Sequence, residues 1–189
     1  MQFNIHRNLE GLHAPFSPSQ SSWLRYDDER ALEVYANKQA AQMGTRLHAW
    51  AAETINLGIK GPRTNKTIWA YVNDAIGFKM DTEVVLFYSE RLFGTADAIS
   101  FRNNKLRIHD LKTGKIGKIE DHMEQLEIYA ALFCLEYRVK PADIEIELRV
   151  YKNDECVKHE PDPECIFGHM EKIKHLDKLI EKYECEEAR

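Results

Sequence analysis

Apolar residues follow two periodicities along the chain, and these predict its helices and strands. Recurrence every three or four residues predicts a long helix, or two helices separated at Gly44, over Asp27–Asn56. The same spacing predicts three later helices, which are Thr67–Lys79, Ile119–Tyr137 and a last helix over about 161–184. Alternation of apolar and polar residues predicts strands over Glu83–Tyr88 and 143–151.

Between these strands, the segment Phe93–Gly114 has the pattern of a β-hairpin. Asn103 and Asn104 are suited to a two-residue turn, because Asn tolerates the positive φ that such turns require. A turn centred there pairs three sets of side chains on one face: Phe101 with Leu106, Ile99 with Ile108, and Asp97 with Asp110. Lys112 follows on the same face. The element order therefore predicts an α/β fold in which helices flank a small mixed β-sheet.

The pairing of Asp97 with Asp110 is costly unless a positive charge lies between them. Directly opposed residues have Cβ atoms about 5 Å apart, and two like charges at that distance repel by roughly 3 kcal/mol at an effective dielectric constant near 20. Lys112 offsets part of this repulsion, and a divalent cation would offset more, since hard cations prefer carboxylate oxygens. The alternative is a surface hairpin whose Asp and Lys side chains are solvated.

Composition and charge narrow the function classes. The chain has 189 residues and a formal net charge of −5, which argues against a broad basic surface for passive nucleic-acid binding. The charge does not exclude a nuclease, because bound cations reverse the field where a phosphate must lie. The sequence contains neither an apolar run near 18 residues nor a signal-peptide pattern, so the expected compartment is the cytoplasm.

Four short motifs occur in order along the chain: Gly44-Thr45-Arg46-Leu47-His48, Gly94-Thr95-Ala96-Asp97, Asp110-Leu111-Lys112-Thr113-Gly114, and Gln125 with Tyr129. In this order they resemble the signature of the PD-(D/E)XK nuclease superfamily and, in detail, its RecB-like exonuclease branch of stand-alone phage and bacterial enzymes. The resemblance implies a restriction-endonuclease-like core over about 43–151. It also implies a single nuclease domain over 1–189 that includes an N-terminal helical region (1–56) and the C-terminal helix (about 161–184).

The resemblance further implies a metal centre. One or two Mg²⁺ or Mn²⁺ ions would be held by Asp97, Asp110, His48 and the backbone carbonyl of Leu111. Taken without the motif, His48 is also compatible with an ordinary packed or surface histidine. Glu53 and Glu83 are further acids near the motifs, and the sequence leaves open whether either joins the site.

The remaining motif residues are implied to act on water and DNA. Lys112 would orient or deprotonate the attacking water and stabilise charge on the phosphate. Gln125 and Tyr129, one helical turn apart, would position Lys112 or the DNA strand. Gln125 is equally compatible with an exposed helix position, and Tyr129 with a core aromatic residue.

The four cysteines, at positions 134, 156, 165 and 185, bear on a second possible cofactor. Some RecB-like nucleases hold an iron–sulfur cluster with one cysteine before the motifs and three after them. Here no cysteine precedes Cys134, so we expect no iron–sulfur cluster and ordinary reduced thiols.

These features together predict a metal-dependent DNA exonuclease that acts in recombination, repair or phage DNA metabolism. Its substrate would be linear DNA ends, single- or double-stranded, and its partners would include a recombinase, an annealing protein or a helicase. Two alternatives stay open. One is a structure-specific endonuclease that uses the same residues, and the other is a catalytically idle nuclease fold that binds DNA or protein.

Overall fold

A computed structural model describes residues 14–114 and 122–187, together with Arg7. Its α-helices in these residues are α1 (Asp28–Asn56), α2 (Thr67–Gly77), α3 (Met123–Glu136) and α4 (Pro163–Glu187). Its strands are β1 (Asp81–Ser89), β2 (Leu92–Arg102), β3 (Lys105–Lys112), β4 (Glu145–Lys152) and β5 (Glu155–His159). Short 3₁₀ helices span Pro18–Arg25 and Pro141–Asp143.

The strands form one mixed sheet in the order β1-β2-β3-β4-β5. β3 and β4 are parallel, and the other neighbouring strands are antiparallel. Parallel neighbours need a crossover connection, and α3 provides it between β3 and β4. This topology brings the first turn of α3 back toward the end of β3. The predicted α/β class with a mixed sheet and flanking helices is confirmed.

Two apolar cores cover the sheet. In the first, α3 and α4 contribute Leu126, Ala130 and Ile166, which pack with Ile108 and Leu148 of the sheet. In the second, α1 and α2 contribute Ala51, Val72 and Ala75, which pack with Ala98 and Leu111. Alternating residues of β3 thus enter different cores, as the period of a strand requires.

The chain divides into two compact units, residues 1–45 and 46–189. The second unit contains the sheet, α2, α3, α4 and the part of α1 from Arg46 onward. Whether 1–189 acts as a single nuclease domain stays a prediction. In the part of the chain that the structure describes, no helix has the combination of length and apolar character needed to cross a bilayer.

Most predicted elements are confirmed, with shifts at their ends. The long helix is unbroken through Gly44, and the second helix ends at Gly77 instead of Lys79. The predicted start of the third helix at Ile119 lies outside the described residues, and α3 begins at Met123. β5 is an addition to the predicted order. It is short and largely exposed, and a tight turn at Asn153 and Asp154, both with positive φ, joins it to β4.

Candidate functional site

The β2–β3 hairpin has the register that its sequence predicts. Asn103 and Asn104 have φ of 52° and 59°, which is the left-handed region that a two-residue turn uses. From the turn, regular pairing runs from Arg102 with Lys105 up to Ala98 with His109. Asp97 and Asp110 come one step beyond this last pair, so they face each other where β2 and β3 stop pairing.

Asp97 closes this end of the hairpin with its side chain. Its Oδ2 accepts a hydrogen bond from the backbone N–H of Leu111 at 3.0 Å. This hydrogen bond satisfies a backbone N–H that lies beyond the last regular pair. It also holds the Asp97 side chain close to the backbone between Asp110 and Lys112. The Leu111 side chain itself is buried in the second core.

His48 approaches Asp97 from helix α1. Its Nδ1 lies 3.2 Å from Asp97 Oδ2. The hydrogen bond to Asp97 raises the pKa of His48, and the negative charges of Asp97, Asp110 and Glu83 act in the same direction. His48 is therefore a neighbour of the acidic pair, not an isolated core residue. Its role as a metal ligand stays a prediction.

Asp110 is the most buried acid of the group. Asp110 is 3% exposed, and Lys112 Nζ lies 3.1 Å from its Oδ2. Burial, followed by the charge of Asp97, raises the pKa of Asp110 to about 6. This geometry contradicts the alternative of a solvated Asp/Asp/Lys edge. Lys112 offsets part of the cost of this buried charge beside Asp97, and a divalent cation would offset more.

Side-chain hydrogen bonds link Lys112 to Gln125 and Gln125 to Tyr129. Lys112 Nζ donates to Gln125 Oε1 at 2.9 Å, and Gln125 Nε2 donates to the Tyr129 hydroxyl at 3.2 Å. Gln125 and Tyr129 lie one turn apart on α3, which the crossover brings over the end of β3. Gln125 therefore contacts Lys112, and its role in positioning Lys112 or the DNA strand stays a prediction.

Gly94 is needed for the Tyr129 ring to reach this position. A Cβ built on Gly94 would lie 2.8 Å from Tyr129 Cε1, closer than a real carbon contact allows. We expect Gly94→Ala to displace the ring, weaken the Gln125–Tyr129 hydrogen bond and destabilise the fold by about 1–3 kcal/mol. Urea unfolding measures the stability. The matched control is Gly168→Ala, because a Cβ at Gly168 meets nothing within 4 Å. Equal stability of the Gly94→Ala protein and wild type would contradict the expectation.

Glu83 of β1 belongs to the same acidic cluster. Its neighbours Thr82 and Val84 pair with Ala98 and Ala96, so Glu83 lies opposite Asp97. Glu83 itself is not in a regular pair and has φ of 52°, a conformation that costs energy for a residue with a side chain. Burial and the charge of Asp97 raise its pKa. Both additional acids are exposed, but Glu83 is the candidate because it lies opposite Asp97, whose charge acts on it.

Sequence reasoning missed two buried groups near the site. Tyr71 of α2 is buried, and burial together with the charges of Asp97, Asp110 and Glu83 raises its pKa. Lys152 is 2% exposed, pairs in register with Lys112, and has Nζ 3.2 Å from His122 Nε2. The only signal for Lys152 was its position at the end of the regular alternation in β4.

The donor set fits a divalent cation that is bound by few protein groups. Among the described residues, no three or more His, Cys, Asp or Glu side chains converge as a metal-binding group. Mg²⁺ in proteins is commonly held by one or two carboxylates and several waters, a pattern that does not need such a group. The carboxylates of Asp97 and Asp110, whose mutual repulsion Lys112 offsets only in part, are the groups that such an ion would contact.

The ionisation of Asp110 predicts a pH dependence of stability in EDTA. Its pKa in the folded chain lies above the ordinary value of 3.8, so the folded state binds this proton more tightly than the unfolded state. Protonation of Asp110 therefore contributes roughly 3 kcal/mol to the free energy of unfolding. This contribution is fully present below pH 3.8 and is lost as the pH rises through about 6.

The side chain of Asp110→Asn cannot ionise. The free energy of unfolding of this variant, relative to that of wild type, should therefore rise by roughly 3 kcal/mol between about pH 4 and 7. Urea denaturation of both proteins at each pH measures the difference. A difference that does not change with pH would show that Asp110 ionises normally in the folded protein.

No protein-family model matches the chain, and neither a curated protein nor a solved structure matches it significantly.

Proposed function

We propose that this chain is a metal-dependent DNA nuclease, and specifically an exonuclease that hydrolyses phosphodiester bonds from DNA ends. The observation that carries the proposal is the pair Asp97 and Asp110 at the open end of the hairpin, with Lys112 Nζ 3.1 Å from the buried Oδ2 of Asp110. Two acids and a lysine in this arrangement suit the chemistry of phosphodiester cleavage, which needs an activated water and compensation for charge on the phosphate.

The acidic residues would hold one or two Mg²⁺ or Mn²⁺ ions. Asp97 and Asp110 are the proposed carboxylate ligands, and the Leu111 carbonyl, His48 and Glu83 are further candidates. When bound, the cation lowers the pKa of a coordinated water and neutralises charge on the phosphate and on the leaving oxygen. No iron–sulfur cluster is proposed.

Lys112 acts next to the attacked phosphate in this proposal. Its ammonium group is held between Asp110 and Gln125, so its position does not depend on the substrate. A preorganised cation stabilises charge in the transition state without first reorganising. Gln125 orients Lys112, and Tyr129 orients Gln125.

We also propose membership of the PD-(D/E)XK superfamily, in its RecB-like branch, with a restriction-endonuclease-like core. The four motifs support this assignment. So does the order of elements, in which the hairpin carrying the acids is followed by the crossover helix α3 and the parallel strand β4. The proposed partners are DNA ends and a recombinase, annealing protein or helicase that works on the same DNA.

A panel of DNA substrates tests the activity. Wild type is incubated with linear and closed circular DNA, each single- and double-stranded, in Mg²⁺, Mn²⁺ or EDTA. We expect degradation of linear DNA with either metal, survival of closed circles, and no reaction in EDTA. Cutting of circles at an equal rate would identify an endonuclease instead. Binding of DNA without metal-dependent cleavage would contradict catalysis and favour the idle binding module.

A further inference from the structure

An apolar cavity lies at the end of α3 opposite the candidate site. Its volume is about 580 Å³, and its apolar wall includes Leu135, Val139, Phe167 and Met170. Gln125 precedes Leu135 by ten residues on the same helix, which corresponds to roughly 15 Å along the axis. A ligand in this cavity would therefore not occupy the position of the proposed substrate.

Cations outnumber anions among the residues that line the cavity. Arg138, Lys140 and Lys174 line the cavity together with one acid, Glu164. Neither Arg138 nor Lys140 makes a side-chain hydrogen bond or ion pair with any described residue, whereas Lys174 pairs with Glu171. This local excess of positive charge contrasts with the formal net charge of −5 for the whole chain.

The apolar wall is open to a partner. Phe167 is 49% exposed although it lines the cavity, and the volume is in the range that proteins use for specific ligands. Arg138 and Lys140, on the connection after α3, carry positive charge without an ion-pair partner among the described residues, whereas Lys174 of α4 pairs with Glu171. A complementary ligand has an apolar anchor with carboxylates beside it.

We propose that this cavity binds an acidic peptide segment of a partner protein, with one or two large apolar side chains entering the cavity and flanking carboxylates contacting Arg138 and Lys140. The apolar anchor supplies most of the binding energy in such interfaces, and the charges supply selectivity and association rate. The site would dock a partner protein on the unit formed by residues 46–189 while leaving the end of the β2–β3 hairpin open.

Fluorescence anisotropy with a labelled peptide of sequence Asp-Asp-Glu-Leu-Phe-Glu-Asp-Asp tests the site on the full chain. We expect saturable binding that weakens as salt is raised. The double charge reversal Arg138→Glu with Lys140→Glu should weaken binding at least about tenfold, because it replaces attraction by repulsion. Phe167→Ser should weaken it to a similar degree.

Matched controls separate this site from a general charge effect. Lys172→Glu with Lys182→Glu changes the net charge equally on exposed positions of α4 and should leave binding unchanged. A benzophenone side chain in place of the peptide Phe should crosslink to the helix α4 segment that contains Phe167. Thermal melting by circular dichroism establishes that each variant is folded.

Three results would overturn the assignment. The first is the absence of saturable binding by folded wild type. The second is equal binding of a peptide whose acids are replaced by Ser, which would indicate a neutral apolar ligand. The third is equal weakening by the control reversal and the cavity reversal.

Discussion

Replacement of Lys112 by alanine is expected to lower the rate of metal-dependent DNA cleavage by about a thousandfold while the chain remains folded. The physical reason is that the ammonium group lies 3.1 Å from Asp110 and 2.9 Å from Gln125, where it is held ready for the charge that develops on the phosphate. Alanine removes this charge and leaves Asp110 without its neighbouring cation. Single-turnover cleavage of a labelled linear duplex in Mg²⁺ measures the effect.

Lys105 provides a matched control on the same strand. Its side chain is 20% exposed, compared with 23% for Lys112, and it also pairs with carboxylates, at 3.2 Å from Glu145 and Glu147. Lys105 lies beside the turn, at the other end of the hairpin. Lys105→Ala should retain the cleavage rate of wild type even if it lowers stability. Equal activity of Lys112→Ala and wild type would remove Lys112 from the mechanism.

The second large effect is the stabilisation of the folded protein by metal ions. Mg²⁺ or Mn²⁺ should raise the thermal unfolding temperature of wild type, because a ligand that binds only the folded state stabilises it by mass action. The gain is about 2.7 kcal/mol at a hundredfold excess over the dissociation constant. Asp110→Asn should lose this response and should be more stable than wild type in EDTA at neutral pH, since it no longer buries a charge beside Asp97.

Differential scanning fluorimetry with and without metal measures both effects. Asp154→Asn is the control, because Asp154 is an exposed acid that contacts Lys66 and Thr67 in a surface turn. It should respond to metal as wild type does. A metal response retained in Asp110→Asn, or absent from wild type, would contradict a metal site at this carboxylate.

The hairpin was predictable because the residues that determine it are close together in the sequence. A two-residue Asn turn and strict alternation are enough to define the register, and the register then defines which residues share a face. The association of Gln125 with Lys112 was predictable for a different reason. It followed from the motif resemblance, since the two residues belong to separate elements that only the crossover brings together.

Other features depend on tertiary context and have no local signal. Regular pairing ends one step before Asp97, whose side chain accepts the backbone N–H of Leu111. The left-handed conformation of Glu83 occurs inside a sequence that otherwise reads as a regular strand. β5 has too few apolar residues for a pattern, although the Asn153-Asp154 turn before it was a usable signal. The burial of Lys152 depends on the approach of His122 from the start of α3.

The central claim is that Asp97 and Asp110 bind the cation that supports DNA cleavage. Electron paramagnetic resonance of free Mn²⁺ measures binding to wild type and to Asp97→Asn, and cleavage of linear duplex is followed at the same Mn²⁺ concentrations. We predict that occupancy and cleavage rate saturate together in wild type, and that Asp97→Asn loses both while its fold is retained. Mn²⁺ binding that is unchanged in Asp97→Asn, or cleavage by wild type that persists in EDTA, would contradict the claim.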